Sequence, residues 1–138
     1  MPASILLVED DDDDVFLMRR ALKAAAIINP LHVVEDGQEA VDYLSRAGTT
    51  TDGGAAQPRV IFLDLKLPVM MGLEVLAWIK SQPFLSNVAV VVLTSSNEPS
   101  DLKEAYRLGA TSYMVKPPTA DQLLDLAKAF KWHWLEFG

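Results

Sequence analysis

Cysteine is absent from the 138-residue sequence. Its absence excludes disulfide bonds, thiolate metal sites and cysteine nucleophiles together. Positive charge is also scarce, because 12 lysines and arginines stand against 19 acidic residues, for a formal net charge of −7. A nucleic-acid surface needs clustered lysine and arginine to contact phosphates, so this balance argues against nucleic acid as a partner.

Long apolar runs are missing as well. A membrane-spanning helix takes about 20 consecutive apolar residues, whereas the run at residues 5–8 is followed at once by acids. It resembles neither a secretion signal nor a membrane anchor. We therefore expect a soluble cytoplasmic protein without a membrane partner. Half of the residues are hydrophobic, and we expect residues 1–138 to form one domain around a single core.

Short apolar runs alternate with helical patterns along the sequence. The predicted strands are residues 5–8, 31–34, 60–63, 88–93 and 112–115. Apolar residues at helical spacing predict helices at residues 15–26, 38–46, 72–81, 99–109 and from 119 onward. Residues 47–58 contain little that could pack, and we interpret them as a mobile loop.

The first, third and fourth strands are continuous apolar runs without alternation, which is typical of parallel strands covered on both faces. Five such strands alternating with five helices predict a doubly wound α/β fold, a three-layer sandwich. We adopt the strand order 2-1-3-4-5 of flavodoxin-like folds.

Polar residues follow four of the predicted strands. Glu9 and Asp10 follow the first strand, Asp64 the third, residues 94–96 (TSS) the fourth and Lys116 the fifth. In this fold the site lies beyond the carboxyl ends of the strands, so these residues should share one crevice.

The chemistry of this set is coherent. Carboxylates that meet in one crevice repel one another unless a cation lies between them. Mg²⁺ suits this position, because it binds a small number of protein oxygen ligands and keeps several of its waters. A lysine and a hydroxyl on the other side suit an incoming phosphoryl group. Because an aspartate can act as the nucleophile of phosphoryl transfer, Asp64 is the candidate phosphate acceptor.

The residues at these positions resemble those of bacterial response-regulator receiver domains. The matching segments are LVED at 7–10, FLDLKLP at 62–68 with Gly72, VLTS at 92–95 and YMVKP at 113–117. The resemblance implies a phosphorylation switch without a separate output domain, served by a sensor histidine kinase. It also implies Mg²⁺, held by Asp10, Asp64, the Lys66 carbonyl and, through water, Glu9.

The resemblance assigns further roles. Lys116 would pair with the phosphoryl oxygens, Thr94 would move toward the phosphate, and Tyr113 would follow it as a relay. The segments LDLKLP and LTSSN and an aromatic C-terminal tail are similar to stand-alone regulators of phytochrome-type kinases. The sequence departs from the family at Met71, where Asp or Asn is usual, and at Lys66, where smaller polar residues are common.

Plain structural roles compete with the functional ones. Asp64 could cap a turn, Lys116 could be an ordinary exposed lysine, and Thr94 could cap a loop. Tyr113 could be only an edge aromatic. We interpret residues 11–14, all aspartates, as a solvated first helical turn, since acids there are stabilised by the helix dipole.

The last helix shows one apolar stripe, formed by Leu123, Ala127, Phe130 and Trp134, which we expect to face the core. Trp132 and Leu135 lie off this stripe. We expect both to be exposed, and exposed apolar groups suggest a partner surface. The hypothesis is a homodimer through this helix, which phosphorylation would strengthen.

Three other functions remain open. A Mg-dependent phosphatase would also use an aspartyl nucleophile, but it needs a second acid two residues on, where this chain has Lys66. A nucleotide or flavin binder is disfavoured because the loop after the first strand is acidic and lacks glycine. The third alternative is a degenerate receiver that binds partners without phosphorylation.

Overall fold

A computed structural model describes residues 3–49, 57–95 and 99–138. The described residues form β1 (Ile5–Val8), α1 (Asp12–Ala24), β2 (Leu31–Val34), α2 (Gly37–Thr49), β3 (Val60–Asp64), α3 (Gly72–Ser81), a short 3₁₀ helix (Pro83–Leu85), β4 (Ala89–Thr94), α4 (Pro99–Arg107), β5 (Ser112–Val115) and α5 (Ala120–Ala129).

The five strands form one parallel sheet in the order β2-β1-β3-β4-β5, which confirms the predicted order. Alternate residues of the central strands point to opposite faces, and both faces are buried. On one face, Leu63 of β3 packs in a cluster with residues of α2, α3 and α4. On the other, Phe62 packs in a cluster with residues of α1 and α5. The prediction of a doubly wound sandwich is therefore confirmed.

The run of aspartates starts the first helix. Asp11 is the N-cap of α1, and its side chain accepts hydrogen bonds from the backbone N–H groups of Asp13 and Asp14. These bonds satisfy donors that have no partner within the helix. Only residues 9–11 separate β1 from the helix, so its first turn lies beside the carboxyl end of the sheet.

The connection from β3 to α3 requires a glycine. A Cβ on Gly72 would overlap the backbone oxygen of Asp64 and lie 2.6 Å from the Cα of Leu65. The Gly72 N–H instead donates to the Leu65 carbonyl at 3.1 Å. Met71 is the N-cap of α3 and makes no side-chain capping bond. The helix still begins at Gly72, so the departure at Met71 leaves the element intact.

The C-terminal helix is shorter than predicted. It ends at Ala129, and Lys131 has a positive φ of 54°. The chain then runs back along the end of α1, where Phe137 forms an isolated bridge with Ile27. The Gly138 N–H donates to the Ala26 carbonyl at 2.9 Å.

This reversal overturns the predicted exposure pattern. Trp132 and Leu135 are partly buried against the core cluster beneath α1 and α5, so the expectation that they are exposed is wrong. Phe130, predicted to face the core, has 42% of its surface exposed. The stripe is confirmed at Leu123, which is 1% exposed, and at Trp134, which packs against the core cluster. Helical spacing no longer applies after Ala129, so it assigned the wrong exposure to Phe130, Trp132 and Leu135. Tyr106 is exposed on α4 and contacts Tyr113 edge to face.

Two smaller boundaries differ from the predictions. α1 ends at Ala24, so Ala26 lies outside the helix and has a positive φ. α2 extends to Thr49 and takes in the first residues of the predicted loop. Residues 50–56 of that loop lie outside the described residues.

Candidate functional site

The carboxyl ends of the strands bring the predicted residues together. Asp64 is the last residue of β3 and is paired in register with Leu93, one residue before Thr94. Lys116 follows β5, and its backbone N–H donates to the Thr94 carbonyl at 2.8 Å. Parallel pairing thus places an acid, a hydroxyl residue and a lysine from three adjacent strands in one crevice.

Lys116 reaches the nucleophile candidate directly. Its Nζ donates to Asp64 Oδ2 at 2.7 Å, while the Lys66 backbone N–H donates to Asp64 Oδ1 at 3.0 Å. Asp64 is 6% exposed. A buried carboxylate needs such partners, because an uncompensated charge in the interior is costly. Both oxygens of Asp64 are therefore held in fixed directions at the end of β3.

Three acids gather at this point. Glu9, Asp10 and Asp64 each present one carboxylate oxygen, and the three oxygens lie within 4.8 Å of one another. Glu9 and Asp64 are buried, whereas Asp10 is exposed. Like charges at such separations repel unless a cation or a proton intervenes.

Glu9 supplies a test of whether a cation fits. Its Oε1 is buried and lacks a hydrogen bond among the described residues, although Lys116 Nζ lies 2.7 Å away as an ion-pair partner. Burial raises the pKa of Glu9 to about 7, Lys116 opposes this rise, and the Asp64 carboxylate adds to it. Glu9 and Asp64 share this one ammonium, and hard carboxylate oxygens gathered in this way suit Mg²⁺ or a similar divalent ion. The residues present fit such a metal.

Lys116 is the main positive charge of the crevice. Burial by itself lowers the pKa of Lys116, but its contacts with Asp64, Glu9 and Asp14 outweigh that effect and raise the pKa above its ordinary value. The ammonium is therefore charged at any physiological pH.

Asp14 is a member of this network that the sequence did not reveal. Its Oδ2 accepts a hydrogen bond from Lys116 Nζ at 2.9 Å. The prediction of a solvated turn suits Asp11, Asp12 and Asp13, which are exposed, but it is wrong for Asp14, which is partly buried. Nothing in the local sequence distinguishes Asp14 from the other aspartates of the run.

The two predicted switch residues lie at different depths. Thr94 ends β4 and is 8% exposed, whereas Tyr113 on β5 is 40% exposed. The Tyr113 ring meets Tyr106 of α4 with ring centroids 6.3 Å apart. Trp132 and Leu135, the predicted interface residues, belong to the cluster beneath α1 and α5 and take no part in the crevice.

A family model for the response regulator receiver domain matches residues 5–128. The chain belongs to this family. Within the described residues, no receiver helix is both long and apolar enough to cross a bilayer.

The similarity to individual relatives extends over nearly the whole chain. The bacteriophytochrome response regulator RtBRR is 45% identical with a TM-score of 0.79, over 91% of this chain and 75% of that one. Response regulator Rcp1 from Synechocystis sp. is 36% identical over 135 residues, which are 98% of this chain and 90% of Rcp1. A structure of the Mn²⁺-bound form of Rcp1 matches with a TM-score of 0.76 at 36% identity, over 98% of this chain and 96% of that one.

Proposed function

We propose that this receiver is a phosphorylation-activated switch of a two-component system, with Asp64 accepting a phosphoryl group from the histidine of a sensor kinase. The observation that carries the proposal is the position of Asp64, which is bonded to Lys116 at 2.7 Å inside the group of three acids. Membership of the receiver family supports the same function.

The chemistry follows from this arrangement. One carboxylate oxygen of Asp64 attacks phosphorus, the new O–P bond forms, and the bond from phosphorus to the donor breaks with its electron pair left on the donor. Lys116 offsets the negative charge of the phosphoryl oxygens, and Thr94 turns its hydroxyl toward them. Tyr113 follows as the relay to the surface. The chain acts only on itself, in gaining and losing its own phosphate.

A bound Mg²⁺ would neutralise charge between the acids and the phosphoryl group. The residues assigned to it are Asp10, Asp64, the Lys66 carbonyl and Glu9 through water. The Mn²⁺-bound form of a relative supports a divalent ion at this acid group.

The partners belong to the same proposal. Similarity to a bacteriophytochrome response regulator supports a phytochrome-type histidine kinase as the phosphoryl donor, in the cytoplasm. The receiver is proposed to signal through protein–protein contact.

A homodimer through the C-terminal region is also proposed. Trp132 and Leu135 can contribute only the parts that remain exposed, while Phe130 and Leu124 are 42% and 38% exposed. The molecular mass in solution, measured at high protein concentration with and without acetyl phosphate, tests this arrangement. A monomeric mass under both conditions would refute it.

Labelling tests the central proposal. The parent protein incubated with acetyl phosphate and Mg²⁺ should gain one hydroxylamine-labile phosphoryl group, and chelation of Mg²⁺ should abolish the gain. Asp64→Asn should stay unlabelled, whereas Asp125→Asn, an exposed change on α5, should label normally. Equal labelling of Asp64→Asn would overturn the assignment of the acceptor.

A further inference from the structure

We propose that Asp14 is a positioning residue for Lys116. It keeps the lysine ammonium beside the phosphorylation site when Glu9 and Asp64, the other two carboxylates next to that ammonium, interact with the cation and the phosphoryl group. This inference rests on the proposed function of Asp64. Asp14 touches neither the phosphoryl group nor the metal in this scheme, and it acts only through the lysine.

Lys116 Nζ has three carboxylate neighbours. It donates hydrogen bonds to Asp64 Oδ2 at 2.7 Å and Asp14 Oδ2 at 2.9 Å, and it lies 2.7 Å from Glu9 Oε1. An ammonium has three N–H donors, so each of the three carboxylates can face one of them. The lysine side chain is 11% exposed and that of Asp14 27%, so water screens this pair only in part.

Two of these partners change when the site is used. Glu9 and Asp64 belong to the group of acids that fits a divalent cation, and a cation there competes with the lysine for both. Phosphorylation then turns one oxygen of Asp64 into the bridging oxygen of an acyl phosphate and removes the carboxylate charge. Both changes weaken the hold of Glu9 and Asp64 on Lys116.

Asp14 is the partner that does not change. It lies outside the group of acids that fits the metal, and its backbone N–H is bonded to the Asp11 side chain at 3.3 Å, within the capped first turn of α1. The position of its carboxylate is therefore set by the helix. A lysine has a flexible four-carbon stem that loses rotamer freedom when it is held in place. A fixed anion reduces that loss at the moment when the ammonium must meet the phosphoryl oxygens.

Asp14 could also act in the opposite way, by competing with the phosphoryl group, and the change in the phosphorylation rate would then have the opposite direction. If Asp14 competed with the phosphoryl group for Lys116, its removal would free the lysine and speed phosphorylation. The direction of the rate change therefore decides between positioning and competition.

The test compares Asp14→Ala with Asp13→Ala. Both variants remove one acid from the same helical turn, but Asp13 is exposed and has no described contact with Lys116. With acetyl phosphate at saturating Mg²⁺, we expect Asp14→Ala to be phosphorylated about fivefold more slowly than the parent and Asp13→Ala to match the parent. Affinity for beryllium trifluoride, a phosphoryl analogue that needs no transfer step, should fall by a similar factor in Asp14→Ala alone.

Two further variants separate positioning from damage to the fold. Asp14→Glu keeps the charge and should recover part of the loss. In a Lys116→Ala background, removal of Asp14 should have no further effect on analogue affinity, because the two residues act through one contact. An Asp14→Ala protein that equals Asp13→Ala, or that is phosphorylated faster than the parent, would overturn the proposal. A parent protein that takes up no phosphate on Asp64 would instead refute the proposed function.

Discussion

Glu9 is a buried acid whose environment opposes its charge. Burial raises its pKa from an ordinary 4.5 to about 7, so the folded protein holds this proton at pH values where the unfolded chain has released it. Stability from this group is complete below pH 4.5 and is lost as the pH rises toward 7. We predict that the metal-free protein loses up to about 3 kcal/mol of unfolding free energy over this range.

The matched control is Glu9→Gln, which removes the titrating group and keeps the shape. Urea unfolding with a chelator at pH 5 and pH 8 should show a larger decrease for the parent than for the variant. Mg²⁺ should restore much of the parent's stability at pH 8, since a carboxylate must be ionised to bind a metal. Equal pH dependence in the two proteins would contradict the assigned pKa.

Lys66 stands two residues beyond the acceptor. Its backbone N–H fixes Asp64 Oδ1, and the residue itself is exposed. We predict that its long side chain shields the phosphate from water, so Lys66→Asn should lose phosphate several-fold faster than the parent. The decay of the phosphorylated form measures this, with the exposed Lys128→Asn as control. Unchanged decay in Lys66→Asn would contradict the shielding role.

At the scale of elements, one buried side chain ties three segments together. Asn29 is 6% exposed, and its Nδ2 donates to the carbonyls of Ala3 and Trp134 while its Oδ1 accepts from the Glu136 N–H. It thereby joins the chain before β1, the turn after α1 and the C-terminal tail.

Loss of this side chain should loosen the tail. Asn29→Ala removes three part-buried hydrogen bonds to backbone groups, so we expect a loss of about 2–4 kcal/mol in unfolding free energy. Asn87→Ala, an exposed change of the same kind, should stay within about 0.5 kcal/mol of the parent. Chemical denaturation measures the unfolding free energy of both variants, and equal values would contradict the proposed role of Asn29.

The same elements show what sequence patterns can and cannot predict. The strands were predictable because buried parallel strands are continuous apolar runs, as in β3 and β4. The end of α5 was not, because Phe130 and Trp134 continue the helical spacing after the helix has stopped. The reversal at Lys131 depends on tail contacts with Ile27 and Asn29, which lie about one hundred residues away in the sequence.

For the molecule as a whole, the strand order decides which parts of the site were predictable. Strand-end residues could be placed together because parallel strands end at one edge, which correctly brought Asp64 and Lys116 into contact. Asp14 could not be placed, since its bond to Lys116 joins residues 102 positions apart and depends on where α1 starts. No local pattern distinguishes it from the four exposed aspartates at residues 10–13.

Asp64 is the residue proposed to carry the phosphoryl group. Borohydride reduces an aspartyl phosphate to homoserine and leaves free aspartate unchanged, so peptide mass spectrometry after reduction locates the acceptor. With acetyl phosphate and Mg²⁺ we predict homoserine at position 64 and at no other aspartate, with none formed when Mg²⁺ is chelated. Homoserine at position 10 or 14, or none anywhere with Mg²⁺ present, would contradict phosphorylation of Asp64.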